Sequence, residues 1–264
     1  VVVGGGLIGI ELVEMLLSRN IHVNFLVREQ SYWNRVLPDE ESGMLNDVIR
    51  LHHVNLKLGT ELAEIQGDNE GFVQTVRTNT GETIPCQFVG LAVGVTPNIG
   101  FLKESVIETD RGVLINEFLE TNIPGIYAIG DCAQHRNPSG GRKPVEQVWY
   151  TGRIMGETVA KTICGEKTAY YPGNWFNSAK FFDVEYQTYG WVHPKPAEDE
   201  ETFFWKHPQK NICMRIVFKK ANKNVTGIHV LGMRFRQEVC DSWIEMKKSV
   251  NYVVNHLREA NFNP

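Results

Sequence analysis

The sequence predicts an α/β protein with a parallel sheet near its amino terminus and an α+β module near its carboxyl terminus. The first observation is an apolar run at residues 1–3 that stops at three glycines and continues as a helical pattern. The second is another apolar run at 23–27, again followed by a helical pattern. The third is a shift towards aromatic residues after Gly165. Alternating strands and helices favour a parallel sheet for the first part.

The predicted elements follow this order. A helix at 7–19 joins the first two strands, and a second helix runs from Pro38 to about His52, with acidic residues in its first turn that complement the helix dipole. Short alternating segments with glycine turns predict an antiparallel meander within 56–95, ending in a strand at 88–93 buried on both faces.

The second half of the chain is predicted to contain one further strand and helix before the carboxyl-terminal module. The strand leads to Gly130 and Asp131, and an acidic loop follows in the module. The predicted ranges are a strand at 125–129, a helix at 146–164, an acidic loop at 198–201, strands at 212–218 and 225–231, and a helix at 237–257.

Composition excludes several classes of function. The net charge is −4, and the charged residues form no basic stripe that could bind nucleic acid. No apolar stretch is long enough for a membrane span. Five cysteines without CxxC or metal-ligand spacing favour reduced thiols, a cytoplasmic setting and no metal site. Because the chain opens inside a strand without an initiator methionine, we expect a further segment to precede Val1.

The glycine turn after the first strand carries the pattern Gly-x-Gly-x-x-Gly. Between a strand and a helix, this pattern is typical of a dinucleotide site, because glycines let backbone amides and the helix dipole approach a pyrophosphate. The sequence therefore predicts a Rossmann-like nucleotide-binding domain. Its predicted contact residues here are Gly4, Gly5, Gly6, Leu7, Ile8 and Gly9.

The end of the second strand predicts the choice of nucleotide. An acidic residue there binds the ribose 2′-hydroxyl of NAD, whereas arginine favours the 2′-phosphate of NADP. This chain has Arg28 and Glu29 at that point, and Arg35 within the same loop. The two arginines favour NADPH as the nucleotide, and Glu29 leaves NADH as an alternative.

Three motifs in order resemble the pyridine nucleotide-disulfide oxidoreductases, flavoproteins with two dinucleotide-binding domains. They are Gly-Gly-Gly-Leu-Ile-Gly-Ile-Glu at 4–11, Gly-Leu-Ala-Val-Gly-Val-Thr-Pro-Asn at 90–98, and Ile-Tyr-Ala-Ile-Gly-Asp at 126–131. The resemblance covers about residues 1–165. The carboxyl-terminal module is similar to that of the branch that includes nitrite reductase flavin subunits and rubredoxin or ferredoxin reductases.

The resemblance implies roles for particular residues. Asp131, after Gly130, contacts the ribityl chain of FAD, and Glu11 faces the nicotinamide. The segment that includes Val93 and Gly94 crosses between the NAD(P) and FAD domains. The backbone amides at the start of the next helix face the pyrimidine edge of the flavin and stabilise negative charge on it. These amides belong to Glu146, Gln147 and Val148.

The resulting prediction has three parts: an NAD(P)-binding domain at 1–95, the second half of an FAD-binding domain at 96–165, and an interface module at 166–264 that often forms a dimer contact in the family. The expected reaction is hydride transfer from NAD(P)H to FAD and then electron transfer to an acceptor protein or small molecule, with no side chain acting as nucleophile or base.

Two alternatives remain open. One is an enzyme of the same fold that reduces a disulfide or a peroxide, with a redox cysteine before Val1. The other is a nucleotide-sensing interaction protein similar to apoptosis-inducing factors, in which NAD(H) controls dimerisation.

Overall fold

The computed structural model describes residues 1–262 and divides into two compact units. The first unit combines Val1–Gly94 with the chain from Ser178 onwards, and the second unit is Val95–Asn177. Within residues 1–262, no helix has the length and apolar character that a membrane crossing requires. The three-part division by role predicted above stays a prediction.

The amino-terminal part of the first unit is a four-stranded parallel sheet with two helical connections and an inserted antiparallel meander. The strand order of the sheet is β3-β2-β1-β7, and β4, β5 and β6 form the separate meander. The elements are β1 (Val2–Val3), α1 (Leu7–Leu17), β2 (Asn24–Val27), α2 (Asp39–Leu51), β3 (Asn55–Leu58), β4 (Leu62–Gly67), β5 (Val73–Thr78), β6 (Thr83–Pro85) and β7 (Gly90–Leu91).

This arrangement confirms the predicted Rossmann-like sheet and corrects two details. The meander is shorter than predicted, because β3 pairs in parallel with β2. The predicted strand at 88–93 forms only in part, and the prediction that it is buried on both faces is wrong. Only Gly90–Leu91 pairs with β1, and the residues Leu91 and Val93 are 59% and 73% exposed. These side chains are exposed because β7 is an edge strand of this sheet.

The second unit contains two parallel strands and one long helix. They are β8 (Val113–Ile115), β9 (Ala133–His135) and α3 (Trp149–Ile163). The predicted strand at 125–129 does not form: Tyr127 makes one isolated bridge to Glu120, and no strand of the described residues lies beside it. The predicted helix start at 146 is also wrong. Val148 has an extended backbone, so α3 begins at Trp149.

The carboxyl-terminal module is a five-stranded sheet followed by three short helices. Its strand order is β10-β11-β14-β13-β12, in which β11, β14, β13 and β12 run antiparallel. The elements are β10 (Phe176–Phe181), β11 (Val184–Gly190), β12 (Glu200–Lys206), β13 (Cys213–Lys219), β14 (Val225–Leu231), α4 (Gln237–Glu245), α5 (Val250–Asn255) and α6 (Leu257–Ala260).

Two predictions for this module are wrong. The single helix predicted at 237–257 is interrupted, because Lys247 adopts a positive φ of 51° and the Ser249 hydroxyl accepts the Tyr252 N–H to start α5. The predicted acidic loop at 198–201 is partly strand, since Glu200 begins β12. The predicted strands near 212–218 and 225–231 are confirmed by β13 and β14.

One apolar core joins the carboxyl-terminal sheet to the amino-terminal part of the first unit. Phe25 of β2 and Val48 of α2 belong to the same buried cluster as Phe181, Tyr186 and Leu231 of the carboxyl-terminal sheet. Tyr32 links the two sets through aromatic contacts. The centre of its ring lies 5.9 Å from the ring centre of Phe25 and 5.8 Å from that of Phe181. The module therefore shares the core of the parallel sheet.

A buried ion pair lies in the same unit. Glu41, in the first turn of α2, accepts hydrogen bonds from Arg215 Nε at 2.7 Å and Arg215 Nη2 at 3.0 Å. Its Oε1 also lies 2.7 Å from His229 Nε2. The side chains of Glu41 and His229 are fully buried. Burial alone would raise the pKa of Glu41, but the hydrogen bonds from His229 and Arg215 outweigh it and hold that pKa at about 2.

We expect Glu41→Gln to lower the free energy of unfolding by about 3 kcal/mol at pH 7, because it leaves the buried guanidinium of Arg215 poorly compensated. Because the pKa of Glu41 is depressed in the fold, its carboxylate stabilises the fold fully at pH values above its ordinary pKa of 4.5. This contribution is lost as the pH falls towards 2. Urea unfolding should show the difference between variant and wild type shrinking in acid.

The matched control is Glu40→Gln. Glu40 also binds Arg215, at 2.9 Å, but its side chain is 56% exposed. This control should cost less than about 1 kcal/mol. Equal unfolding free energies of the Glu41 and Glu40 variants at pH 7 would contradict the prediction.

Candidate functional site

The first unit brings three of the predicted segments to one edge of its parallel sheet. The glycine turn follows β1, the Arg28–Glu29 pair follows β2, and the segment 92–94 follows β7. Since β1, β2 and β7 are parallel, their carboxyl ends lie at the same edge, where α/β sheets bind ligands. The Gly4 N–H donates to the Leu26 carbonyl at 3.0 Å, which fixes the turn against β2.

Close backbone packing explains two of the glycines. Gly4 has a φ of 114°, and a Cβ there would lie 2.1 Å from the Ala92 carbonyl oxygen. A Cβ on Gly9 would lie 2.0 Å from the Gly4 carbonyl oxygen. Both distances are far inside van der Waals contact. Only glycine lets the turn, the helix and the β7 segment pack this closely.

Gly6 differs from its neighbours, because a Cβ there would meet nothing within 4 Å. It is the N-cap of α1, and no side chain caps this helix. The first amides of a helix have no acceptors within it, so the N–H groups of Leu7, Ile8 and Gly9 remain available to a ligand. The first turn of α1 also carries no acidic residue. This helix start is therefore suited to an anionic group.

Tyr32 contacts the glycine turn through its side chain. This contact was not predicted from the sequence. The Tyr32 side chain is fully buried, and its hydroxyl donates to the Gly6 carbonyl at 3.4 Å. The Tyr32 N–H donates to Asn46 Oδ1 at 2.8 Å, which ties the residue to α2. A single tyrosine in a loop carries no spacing signal, so only the fold shows this role.

Glu29 contacts both arginines of the loop that follows β2. Its Oε1 accepts from Arg28 Nε at 2.9 Å and lies 3.1 Å from Arg35 Nε. The Glu29 side chain is 19% exposed, whereas those of Arg28 and Arg35 are 58% and 70% exposed. One carboxylate therefore contacts two solvent-exposed guanidinium groups in the same loop.

The other predicted residues of the first unit surround this edge. Ile8 and Glu11 are exposed on α1. Gly94 has a φ of 120°, and a Cβ there would meet nothing within 4 Å. With the exposed Val93, these positions leave the edge accessible within the unit.

In the second unit, Gly130 and Asp131 form a 3-10 turn at 130–132. Gly130 has a φ of 73°, and its N–H donates to Met155 Sδ of α3 at 3.2 Å. Gly152 of α3 lies beside the turn, since a Cβ there would be in ordinary van der Waals contact, at 3.5 Å, with the Gly130 Cα. The turn is thus held against α3 while the Asp131 side chain remains exposed.

The segment before α3 is held by a buried ion pair. Glu146 accepts from Arg142 Nε and Nη2, each at 2.7 Å, and from the Thr151 hydroxyl at 3.1 Å. The side chains of Arg142 and Glu146 are only 8% and 6% exposed. This clamp was missed from the sequence, because Arg142 and Glu146 precede α3 and the i,i+4 pairing rule applies only within a helix. Gln147 stays exposed, and the extended Val148 leads into an uncapped helix.

The parallel sheet, its glycine turn and the open helix start define a dinucleotide-binding α/β protein. The sequence profile of the pyridine nucleotide-disulphide oxidoreductases matches residues 1–156. The chain belongs to this family.

Curated relatives agree with this assignment. The chain is 31% identical to a nitrite reductase [NAD(P)H] of Bacillus subtilis over 66% of its own length and 20% of the relative. It is 30% identical to a ferredoxin–NAD(P)+ reductase of a Sphingomonas species over 89% of its length and 57% of the relative. A rubredoxin–NAD+ reductase of Acinetobacter baylyi is 32% identical over 65% of the chain and 42% of the relative. The chain spans between about a fifth and just over half of these relatives.

Solved structures share the fold. An NAD-dependent persulfide reductase from A. fulgidus has a TM-score of 0.80 at 20% identity, covering 96% of this chain and 50% of that one. A ferredoxin reductase from Rhodopseudomonas palustris has a TM-score of 0.76 at 22% identity, covering 88% and 55%.

Alanine substitutions in the glycine turn test how closely its backbone packs. Alanine normally stabilises a helix by about 1 kcal/mol relative to glycine. In Gly9→Ala, however, the new Cβ would strike the Gly4 carbonyl, so we expect destabilisation by about 3 kcal/mol. The control Gly6→Ala meets open space and should change stability by less than about 1 kcal/mol. Urea unfolding measures both, and a stabilised Gly9→Ala protein would show that the turn is looser than described.

Proposed function

We propose that the protein to which this chain belongs is an FAD-dependent NAD(P)H oxidoreductase. The observation that carries the proposal is the carboxyl edge of β2, β1 and β7, where the open Gly6 and the uncapped α1 meet the segments after β2 and β7. Family membership supports the same reaction class. NAD(P)H supplies a hydride and FAD accepts it, so the protein contributes binding, alignment and electrostatics.

In this proposal, the first unit binds the nicotinamide nucleotide. The amides of Leu7, Ile8 and Gly9 receive the pyrophosphate at the start of α1. Gly6 allows the backbone to approach it, because no atom occupies the space that a side chain would fill. Glu11, Val93 and Gly94 line the path towards the nicotinamide end.

The second unit contributes to FAD binding. The exposed carboxylate of Asp131 accepts hydrogen bonds from ribityl hydroxyls, and the positive φ of Gly130 sets its direction. A Cβ on Gly130 would meet nothing within 4 Å, so the space beside Asp131 is open to a ligand. The amides of Glu146, Gln147 and Val148 face the flavin pyrimidine, and the Arg142–Glu146 pair holds their backbone in place.

NADPH is the proposed donor. Arg28 and Arg35 are both within reach of one ligand group, since a single Glu29 oxygen contacts both. Each guanidinium keeps donors that Glu29 does not use, and these suit the oxygens of a 2′-phosphate. Glu29 competes for the same donors and moderates the preference.

The electron acceptor is proposed to be a small redox protein or a small molecule. Relatives of this chain are named for ferredoxin and rubredoxin, which supports a protein acceptor. A cytoplasmic setting and a homodimer through the carboxyl-terminal module complete the proposal, with no nucleic acid or membrane partner.

Calorimetry with NADPH and NADH tests the nucleotide preference. We expect NADPH to bind at least tenfold more tightly, a difference of about 1.4 kcal/mol. Arg28→Ala should remove this preference by weakening NADPH alone, whereas Glu29→Gln should enlarge it by freeing both arginines. Arg50→Ala is the control, since Arg50 is an exposed residue of the last turn of α2. Tighter binding of NADH would make Glu29 the selecting residue and reject the proposed donor.

A second test addresses flavin binding and turnover. Asp131→Ala should weaken FAD binding about tenfold, because it removes a charged acceptor for ligand hydroxyls, and should leave NADPH binding unchanged. Asp47→Ala, on the exposed face of α2, is the control. Flavin fluorescence and calorimetry measure the two affinities. NADPH oxidation with ferricyanide by the intact FAD-loaded protein, with the segment expected before Val1, then tests the reaction. Tight nucleotide binding without turnover would reject the enzyme and favour a nucleotide-sensing protein.

A further inference from the structure

Strand β12 forms one edge of the carboxyl-terminal sheet. Within residues 1–262, the strand order β10-β11-β14-β13-β12 gives β12 a neighbour on one side only. The strand has seven residues and no proline, and its register with β13 is constant along its whole length. The edge strand β7 of the parallel sheet, in contrast, has only two residues. A long and regular edge presents unpaired N–H and C=O groups that can pair with another strand.

The hydrogen bonds at the two ends of the β12–β13 ladder show which residues face outwards. At one end, the Lys220 N–H donates to the Asp199 carbonyl at 2.9 Å. At the other end, the His207 N–H donates to the Ile212 carbonyl at 2.8 Å. Both pairs continue the register of the ladder. Because bonded and non-bonded pairs alternate in an antiparallel ladder, the odd-numbered residues of β12 bond to β13 and the even-numbered residues turn their backbone groups away from it.

The outward backbone groups belong to the four even-numbered residues of β12. At the first of them, the Glu200 N–H already donates to the Ala197 carbonyl at 2.9 Å. The outward N–H groups of Thr202, Phe204 and Lys206 have no hydrogen-bond partner among the described residues. Lys206 is exposed, and Thr202 and Phe204 are half-buried. This edge therefore offers another strand an alternating row of donors and acceptors.

The sequence of β12 is complementary to itself. It reads Glu-Glu-Thr-Phe-Phe-Trp-Lys, with acidic residues at one end and a lysine at the other. In an antiparallel pair of identical strands about a two-fold axis, one residue lies opposite its own counterpart. When that residue is Phe203, all seven positions are matched and Glu200 lies opposite Lys206 at both ends. Any other centre separates this pair and leaves part of the strand unpaired.

The charges near β12 favour the same register. Residues 198–201 are all acidic, and Lys206 is an exposed lysine at the other end of the strand. Glu198 is exposed too, and neither it nor Lys206 forms an ion pair with a described residue. Two-fold pairing brings the lysine of each copy to the acidic end of the other, so the attraction occurs twice in a dimer. Such charges contribute little affinity singly, but they select the register.

Phe203 is suited to the position on the two-fold axis. Its own backbone groups bond to β13, so it faces its counterpart as a non-hydrogen-bonded pair. Side chains approach most closely in pairs of this kind, and aromatic pairs there are favourable. The Phe203 side chain is half-buried and keeps surface for such a contact.

We propose that two copies of this chain pair antiparallel through β12, with Phe203 on the two-fold axis. Thr202 of one copy and Phe204 of the other then exchange N–H···O=C bonds, and the two five-stranded sheets become one continuous sheet. This pairing rests on the homodimer proposed above and not on the redox reaction. An enzyme that oxidises NADPH as a monomer would reject the pairing alone.

Disulfide trapping of the full chain tests the register. Phe203→Cys places two thiols opposite one another, where the Cα atoms lie about 4.5 Å apart, within the range of a disulfide. Trp205→Cys is the matched control on the same face of the strand, because its counterpart lies about 13 Å further along the strands. Both variants carry Cys164→Ser, since Cys164 is exposed. With copper-phenanthroline as the oxidant, we expect a reducible covalent dimer from Phe203→Cys and only background from Trp205→Cys.

Sedimentation velocity measures the dimer without a new cysteine, over about a hundredfold range of concentration. Lys206→Glu places like charges opposite one another twice in each dimer, so it should raise the dissociation constant at least tenfold. Lys180→Glu is the control, because it makes the same charge reversal at an exposed position of β10, on the opposite edge of the same sheet. It should leave the dissociation constant unchanged. Urea unfolding verifies that both variants fold.

Three results would overturn the proposal. The first is a chain that stays monomeric at every concentration. The second is a Lys206→Glu dimer as stable as the Lys180→Glu dimer, and the third is equal trapping through positions 203 and 205. In the last two cases, the copies associate through a different surface.

Discussion

The candidate nucleotide site depends on how closely three stretches of backbone pack at the end of β1. Gly4 lies against Ala92, and Gly9 lies against Gly4, at distances that no Cβ could occupy. This packing sets the start of α1 and leaves Gly6 as the open position between strand and helix. It also brings the segments after β2 and β7 to the same edge. The glycine turn of the candidate site is therefore positioned mainly by backbone contacts.

Buried arginine–glutamate pairs organise both units in the same way. In the first unit, Arg215 and Glu41 join the carboxyl-terminal sheet to α2. In the second, Arg142 and Glu146 hold the segment before α3. A buried pair gains little net energy over an apolar contact, but it penalises every arrangement that separates its charges. Each pair thus specifies how an element near a proposed cofactor site is placed.

The sequence predicted those elements whose helix, strand or turn signals lie within a short stretch of the chain. The glycine turn, α1, α2 and strands β13 and β14 were visible because apolar spacing and turn residues lie close together in sequence. The predicted strand at 125–129 failed because a strand also needs a neighbour to pair with, which the sequence does not display. The predicted strand at 88–93 forms only at Gly90–Leu91, and its place at the edge of the sheet is equally invisible in the sequence. Tyr32 and the contacts of Glu29 were invisible for the same reason. Their roles arise from partners that only the folded chain brings near.

The Glu41–Arg215 pair joins residues that are 174 positions apart. During translation, the helix that carries Glu41 leaves the ribosome long before β13 exists, and the whole second unit is made in between. At about 5–20 residues per second, the delay is roughly 10 to 35 seconds. Throughout that interval the apolar cluster that contains Phe25 and Val48 lacks members that the carboxyl-terminal sheet supplies, such as Leu231. A nascent chain of this kind offers chaperones a long window, and the second unit has time to form first.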